Sequence, residues 1–296
     1  MRDTRVLEDS AAVVLSPVFS GADGEAADCS ASPTCAVTRD DGTVLDAAVV
    51  TDATGTGVYQ AALTTTHTSR LDRLTLTWTG TVTGLGVQVL TQYVDVVGGF
   101  YLSVPDMRGF HGLSNLSFSA EALRAACSAF EDIAERYCGR AFVPRYRSET
   151  VRGSGTVRVL LDRHPVRSIV SASAVDLAGV VTPFDVTYWQ VDGTGMVVTD
   201  GDVLTSASYG EANLTIRYIH GEPGPTSELR AMCGVWVARQ MLVERSQVPR
   251  DALSVTSPDG FSTRYSTPDW AAGRPTGILE VDAVLNGLGR AAPAIA

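Results

Sequence analysis

The hydrophobic period of this chain changes near residue 100, and that change limits the folds open to it. Up to about residue 97, short runs of Val, Thr, Leu and Tyr alternate with turn signals. In LTLTWTG, Leu74, Leu76 and Trp78 alternate with Thr75, Thr77 and Thr79, the period of a strand with one face buried. Asp41 and Gly42 mark a turn between strands. After Gly98, Gly99 and a connector containing Pro105, the period becomes helical. Leu123, Cys127, Phe130, Ala134 and Tyr137 recur at spacings of three and four, which predicts an amphipathic helix over 117–138. Ser117 or Ser119 caps its start, Gly139 ends it, and Glu131 and Glu135, with Asp132 and Arg136, are placed on its polar side. Strand patterns return at 157–161, 166–175, 185–191, 195–199 and 213–219. Thr226 then caps a second helix over 227–245.

These elements predict a multi-domain chain. About seven strands without helical periodicity make residues 1–97 an all-β sandwich of the immunoglobulin-like kind, without the Cys…Trp…Cys pattern of antibody domains. Residues 98–116 read as a linker. Residues 117–250 read as an α+β domain, a largely helical core with strands. Residues 251–296 read as an extended tail. Between Val248 and Arg274 the tail is rich in Ser, Thr, Pro and Asp and has no sustained period. It then closes with an amphipathic helix over 276–288, whose Ile278, Val281, Val284, Leu285 and Leu288 share a face. A helix that short is not stable alone, so it must dock.

The second helix poses a sharper question. Its middle, Ala231 to Ala238, contains no charge. A helix on a single core needs only one apolar stripe, so an isolated copy is expected to expose Val235, Trp236 and Met241, an apolar patch that soluble monomers avoid. Packing on helix 117–138, through Leu123 and Phe130, and on a neighbouring subunit would cover both sides.

Composition bounds the remaining possibilities. The 296 residues suffice for roughly two domains, and 45% hydrophobic with 19% charged residues is a globular balance. No apolar run approaches a membrane span. Asp3, Glu8, Asp9 and Pro17 argue against a signal peptide, which places the chain in the cytoplasm of its producing cell. All 23 basic residues are arginine. Residues 1–100 hold 5 of them against 12 carboxylates, whereas residues 136–167 hold 8 against 2. Arg140, Arg145, Arg147, Arg152 and Arg158 in that band are candidates either for nonspecific contact with DNA phosphates or for pairing with acidic parts of the molecule or a neighbour. Cys127, Cys138 and Cys233 read as core residues, while Cys29 and Cys35 are either free thiols or a disulfide.

Catalytic signatures are missing from the sequence. Without lysine there is no conventional phosphate-binding loop, and GSG at 153–155 lacks the spacing of a nucleophile elbow. His67, His111, His164 and His220 are scattered singly, as surface or turn residues. Asp200, Gly201 and Asp202 lack the other ligands of a calcium loop. The chain is therefore expected to be no enzyme and to hold no cofactor or metal.

The order of elements carries a resemblance. FSAEALRAACSAFEDIAERYCGRAFVPR, LDRHPVRSIVSASAV, LTIRYIHG, SELRAMCGVWVARQMLVER and PTGILEVDAVLNGL together resemble the head–tail connector, or head-to-tail adaptor, proteins of long-tailed double-stranded DNA phages. The likeness covers about 114–290 and lies in order and spacing, including Arg140, Phe142 and Pro144, then His164, Pro165 and Val166. It implies a virion protein at the head–tail interface, assembled in the cytoplasm of a bacterial host. Such proteins form a ring of about a dozen copies beneath the portal, extend the DNA channel, and meet a stopper or tail-completion protein. The partners implied are the portal protein, other copies of the chain and, in passing, double-stranded DNA, but no membrane. The added sandwich departs from smaller members, and contact with the capsid protein is its expected role. In this reading Val235, Trp236, Met241, Leu123 and Phe130 serve the subunit interface. Phe261, Tyr265, Trp270, Ile278, Leu285 and Leu288 anchor a portal-binding tail. The rival readings are a β-rich adhesion or carbohydrate-binding protein, which needs exposed aromatic platforms in the sandwich, and an enzyme with dispersed carboxylates.

Overall fold

The computed structural model describes residues 4–110, 112–113, 118–151, 158–175, 179–192, 195–199, 214–245, 254–256, 262–264 and 275–289. The chain divides into two compact units, one of residues 1–99 with 143–222 and one of residues 100–142 with 223–296.

The first unit begins with eight strands. These are β1 Thr4–Leu7, β2 Ala12–Leu15, β3 Thr34–Arg39, β4 Val44–Val49, β5 Thr51–Gly55, β6 Val58–Leu63, β7 Asp72–Val82 and β8 Gly86–Val97. They form a five-stranded sheet, β1-β8-β7-β3-β4, and a three-stranded sheet, β2-β6-β5. Pairing is antiparallel except between β1 and β8. Both sheets feed one core, with Val37, Leu74, Leu76 and Trp78 from the larger and Val14 and Tyr59 from the smaller. The result is a two-layer sandwich. Trp78, fully buried, donates its indole N–H to Gln92 at 3.2 Å, as a buried indole must. Gly42 adopts φ 89° at the β3–β4 turn, a left-handed conformation natural to glycine.

The same unit continues with β9 Arg145–Val151, β10 Arg158–Leu160, β11 Val166–Val175, β12 Val181–Phe184, β13 Gln190–Val191, β14 Met196–Val198 and β15 Leu214–His220. They form antiparallel sheets β12-β11-β15-β9 and β10-β14-β13 around a shared core that includes Trp189, Val197, Ile216 and Tyr218. The sandwich and this second set are fastened together. Asp40, in the β3–β4 turn, accepts the Tyr146 hydroxyl at 2.9 Å and the Arg217 guanidinium at 3.0 Å. The Gly98 N–H donates to the Pro144 carbonyl at 3.1 Å, and a Cβ at Gly98 would sit 2.8 Å from the proline ring.

The second unit is helical. It contains α1 Val104–Arg108, α2 Ala120–Cys138, α3 Ser227–Arg245 and α4 Leu279–Leu288, with a small ribbon of β16 Ser254–Thr256 and β17 Ser262–Arg264. Ser119 caps α2 through the Ala122 N–H, and Gly139 closes it in the left-handed region. Thr226 accepts the Leu229 N–H at the start of α3. Residues 100–110 and 112–113, read from the sequence as part of a linker, build this unit: Tyr101, Met107 and Leu113 are fully buried. Glu131 is also fully buried, not on the polar side of α2. It accepts the Tyr101 N–H at 2.8 Å, so the helix buries a wider stripe than its apolar residues alone mark out.

Candidate functional site

Among the described residues, no three His, Cys, Asp or Glu side chains gather as a metal site would require. Of the histidines read as surface or turn residues, His67 does lie in a turn and His164 in a bend. His67 and His220 are buried, and His67 accepts the Thr64 N–H at 3.1 Å. Burial, then Arg163, Arg145 and Arg147, push the His220 imidazole down to about 4, so it is neutral at pH 7. All five cysteines are free thiols. Cys127, Cys138 and Cys233 are buried as expected, with Cys127 and Cys233 sulfurs 3.7 Å apart. Burial pushes the Cys29 thiol up, away from the reactive thiolate.

Two surface depressions lie among the described residues. One, of about 350 Å³, is lined by residues that include Asp28, Cys29 and Tyr59. The other, of about 540 Å³, is lined by Thr187, Tyr188, Trp189, Gln190, Val198 and Thr199. No described helix is long and apolar enough to cross a membrane.

The structure corrects the expected apolar patch on the second helix. Leu123 and Phe130 are fully buried, Trp236 is 7% exposed and Met241 4%, all within the chain. Val235 is half-buried. Trp236 lies against Phe130, ring centroids 5.8 Å apart. The cause is that α3 is central to its unit and packs on α1, α2 and α4. Phe110 closes a further side at Gly234, where an added Cβ would stand 2.0 Å from the phenylalanine ring. The uncharged helix is therefore covered by its own chain. The sequence signal was the glycine at mid-helix, where its helix cost is justified only by close approach.

The tail anchors divide similarly. Phe261, Tyr265 and Trp270 lie outside the described residues. Ile278 and Leu285 are buried inside the helical unit, and Leu288 is half-buried. Asp282 fixes the entry to α4 by accepting the Thr276 hydroxyl at 2.6 Å and N–H at 3.0 Å. Tyr137 bonds Asn286, and Arg140 donates to the Leu288 carbonyl at 3.4 Å. The short helix thus docks on its own chain, because its apolar face matches the surface that α2 and α3 leave open.

The arginines do not share one environment. Arg140 belongs to the helical unit and lies over the Phe142 ring at 5.1 Å. Arg145 is buried in the first unit, whereas Arg147 and Arg158 are exposed there. Arg152 lies outside the described residues. The ionic feature that charge counting missed is internal to the sandwich. Arg39 pairs with buried Asp72 at 2.9 Å, and Arg70 bridges Asp72 at 3.1 Å and Asp41 at 2.7 Å. Burial works against the Asp41 charge, but the Thr43 hydroxyl and N–H, with Arg70, hold its carboxyl down to about 2.

The chain matches no family profile and no curated protein sequence. Among solved structures it is similar to a chain in the neck of an empty gene transfer agent particle computed with sixfold symmetry. That pair shares 19% identity over 54% of this chain and 84% of the other, at a TM-score of 0.40. A chain from the neck of the native particle, computed with twelvefold symmetry, shares 18% identity over 48% and 75%, at 0.34. A chain from the native gene transfer agent virion shares 18% over 54% and 84%, also at 0.34. At these scores the likeness is partial.

Proposed function

We propose that this protein is a structural, non-catalytic component of the neck of a tailed phage or phage-like particle, acting as a head-to-tail adaptor ring beneath the portal. One observation carries the reading. Helices α2 and α3, far apart in sequence, pack on each other and on the last helix α4. This packing supports the helix, strands, helix, short-helix order on which the resemblance to connector proteins rests.

In this role the copies surround the DNA channel. Exposed arginines such as Arg147 and Arg158 give weak, salt-sensitive contact with passing phosphates. The rigid link from the sandwich to the second set of sheets through Asp40 makes the sandwich a fixed arm, suited to meeting the capsid shell. The adhesion reading asks for exposed aromatic platforms in the sandwich; Trp78 is core, while Tyr93 is exposed with the Arg73 guanidinium over its ring at 5.7 Å. The test is electron microscopy of particles produced without this chain. Filled heads and free, unattached tails are expected; normal tailed particles would overturn the proposal.

A further inference from the structure

Two buried thiols and a buried carboxylate meet where α2 packs on α3. The Cys127 and Cys233 sulfurs touch at 3.7 Å, although 106 residues separate them along the chain. Cys127 also donates its S–H to Glu131 Oε1 at 3.7 Å, one turn further along α2. With its single hydrogen committed to the carboxylate, Cys127 is left to accept from Cys233. Glu131 is held in turn by the Tyr101 N–H at 2.8 Å. Cys127 is 1% exposed, and Cys233 and Glu131 are fully buried. The two helices meet again three residues on, where the Phe130 and Trp236 rings lie 5.8 Å apart, so the sulfurs face each other along a continuous helix–helix seam.

Sulfurs in a disulfide stand about 2.05 Å apart, so from 3.7 Å each of these has to move by less than about 1 Å, a small rotation about its Cα–Cβ bond. The other cysteines are placed differently. Cys138 donates to the Leu285 carbonyl at 3.7 Å, and Cys29 and Cys35 belong to the sandwich core. We propose that Cys127 and Cys233 are a redox-closable pair that a peroxide converts into a disulfide bolting α2 to α3. Glu131 takes the Cys127 proton, and the thiolate attacks one peroxide oxygen: the S–O bond forms, the O–O bond breaks, and the hydroxide released recovers the proton from Glu131 as water. The Cys233 sulfur then attacks the Cys127 sulfur: the S–S bond forms, the S–O bond breaks, and the departing hydroxide leaves with the Cys233 proton as a second water. Two thiols and one hydrogen peroxide become one disulfide and two waters. Burial, and then Cys127 beside it, raise the Cys233 thiol well above its ordinary value, so closure is slow and waits on a small oxidant and a local opening of the helices. Once made, the bond closes a loop of more than a hundred residues, a strong constraint on the unfolded chain. The helical unit is then harder to open in oxidising surroundings than in reducing ones. The pairing stands on this geometry and not on the neck role.

Treatment of the purified full chain with hydrogen peroxide, followed by denaturation, thiol alkylation and peptide mass spectrometry, tests it. Cys127 and Cys233 should both cease to be alkylated, and their peptides should appear joined, two hydrogens lighter than the separate pair. Dithiothreitol should restore both thiols. The closed form should unfold about 5 °C or more above the reduced form, a gain that reduction removes. Cys233→Ala should leave Cys127 as a sulfenic acid that a dimedone probe captures, whereas Cys127→Ala, which lacks the thiol beside Glu131, should leave Cys233 unmodified. Glu131→Gln, whose amide oxygen can still accept the Tyr101 N–H, should slow closure by about tenfold or more; closure at the unchanged rate would overturn the carboxylate's part. Thiols that both stay alkylated, a bond from either to another cysteine, Cys127 carried to sulfinic acid without closing, or a closed form no more stable than the reduced one would each overturn the proposal. The particle experiment judges the neck role separately.

Discussion

At His220, burial and the charges of Arg163, Arg145 and Arg147 act in the same direction, opposed by Asp162. The folded imidazole titrates at about 4 against an ordinary value of 6.5. Between these values the unfolded chain binds a proton that the folded chain refuses, so stability is full above about 6.5 and falls as the pH drops toward 4. Unfolding in denaturant across this range should show a loss on the order of 3 kcal/mol, and His220→Gln should flatten that part of the profile. A wild-type profile already flat there would contradict the assignment. Gly234 is the other decisive single residue. Gly234→Ala ordinarily favours a helix, but here its Cβ would strike the Phe110 ring, so a loss of about 1–3 kcal/mol is expected. Combined with Phe110→Ala, the loss should be less than the sum of the two single changes, a coupling that a double-mutant cycle reads directly.

At the scale of elements, α4 and the β3–β4 turn are the parts whose removal should be felt most. Leu285 is fully buried, so Leu285→Ala should cost about 2–5 kcal/mol of helical-unit stability, visible as earlier thermal unfolding and faster proteolysis at α4. Asp40→Asn removes the charged acceptor shared by Tyr146 and Arg217. It should cost about 1–3 kcal/mol and raise hydrogen exchange in β9 and β15. The legible parts of the fold were the locally determined ones. Alternation about Trp78, the Ser119 cap and Gly139 placed β7 and α2 because each signal lies within a few residues of what it controls. What covers α3 was not legible, since Phe110 meets Gly234 across more than a hundred residues, and uncharged sequence does not say which chain supplies the cover. Glu131 was misplaced for a related reason: its partner is a main-chain N–H at Tyr101, a group every residue carries and no side-chain pattern marks.

At the scale of the whole molecule, the strand-rich unit joins the sandwich to the sheets of residues 143–222, and the helical unit closes on itself through α4. The apolar centre of α3 is therefore covered within the chain and is not left for a partner. Because Trp236 is buried within its own chain, Trp236→Glu is expected to be a folding lesion, not an assembly lesion. Where a partner could bind was not legible in the sequence, because it depends on which apolar faces the chain buries for itself. The measurement that tests the central claim most directly is the mass of the dilute full-length protein by light scattering, alone and mixed with purified portal protein. The account predicts a small species alone and a complex carrying many copies of this chain per portal; a small species in both samples would contradict it.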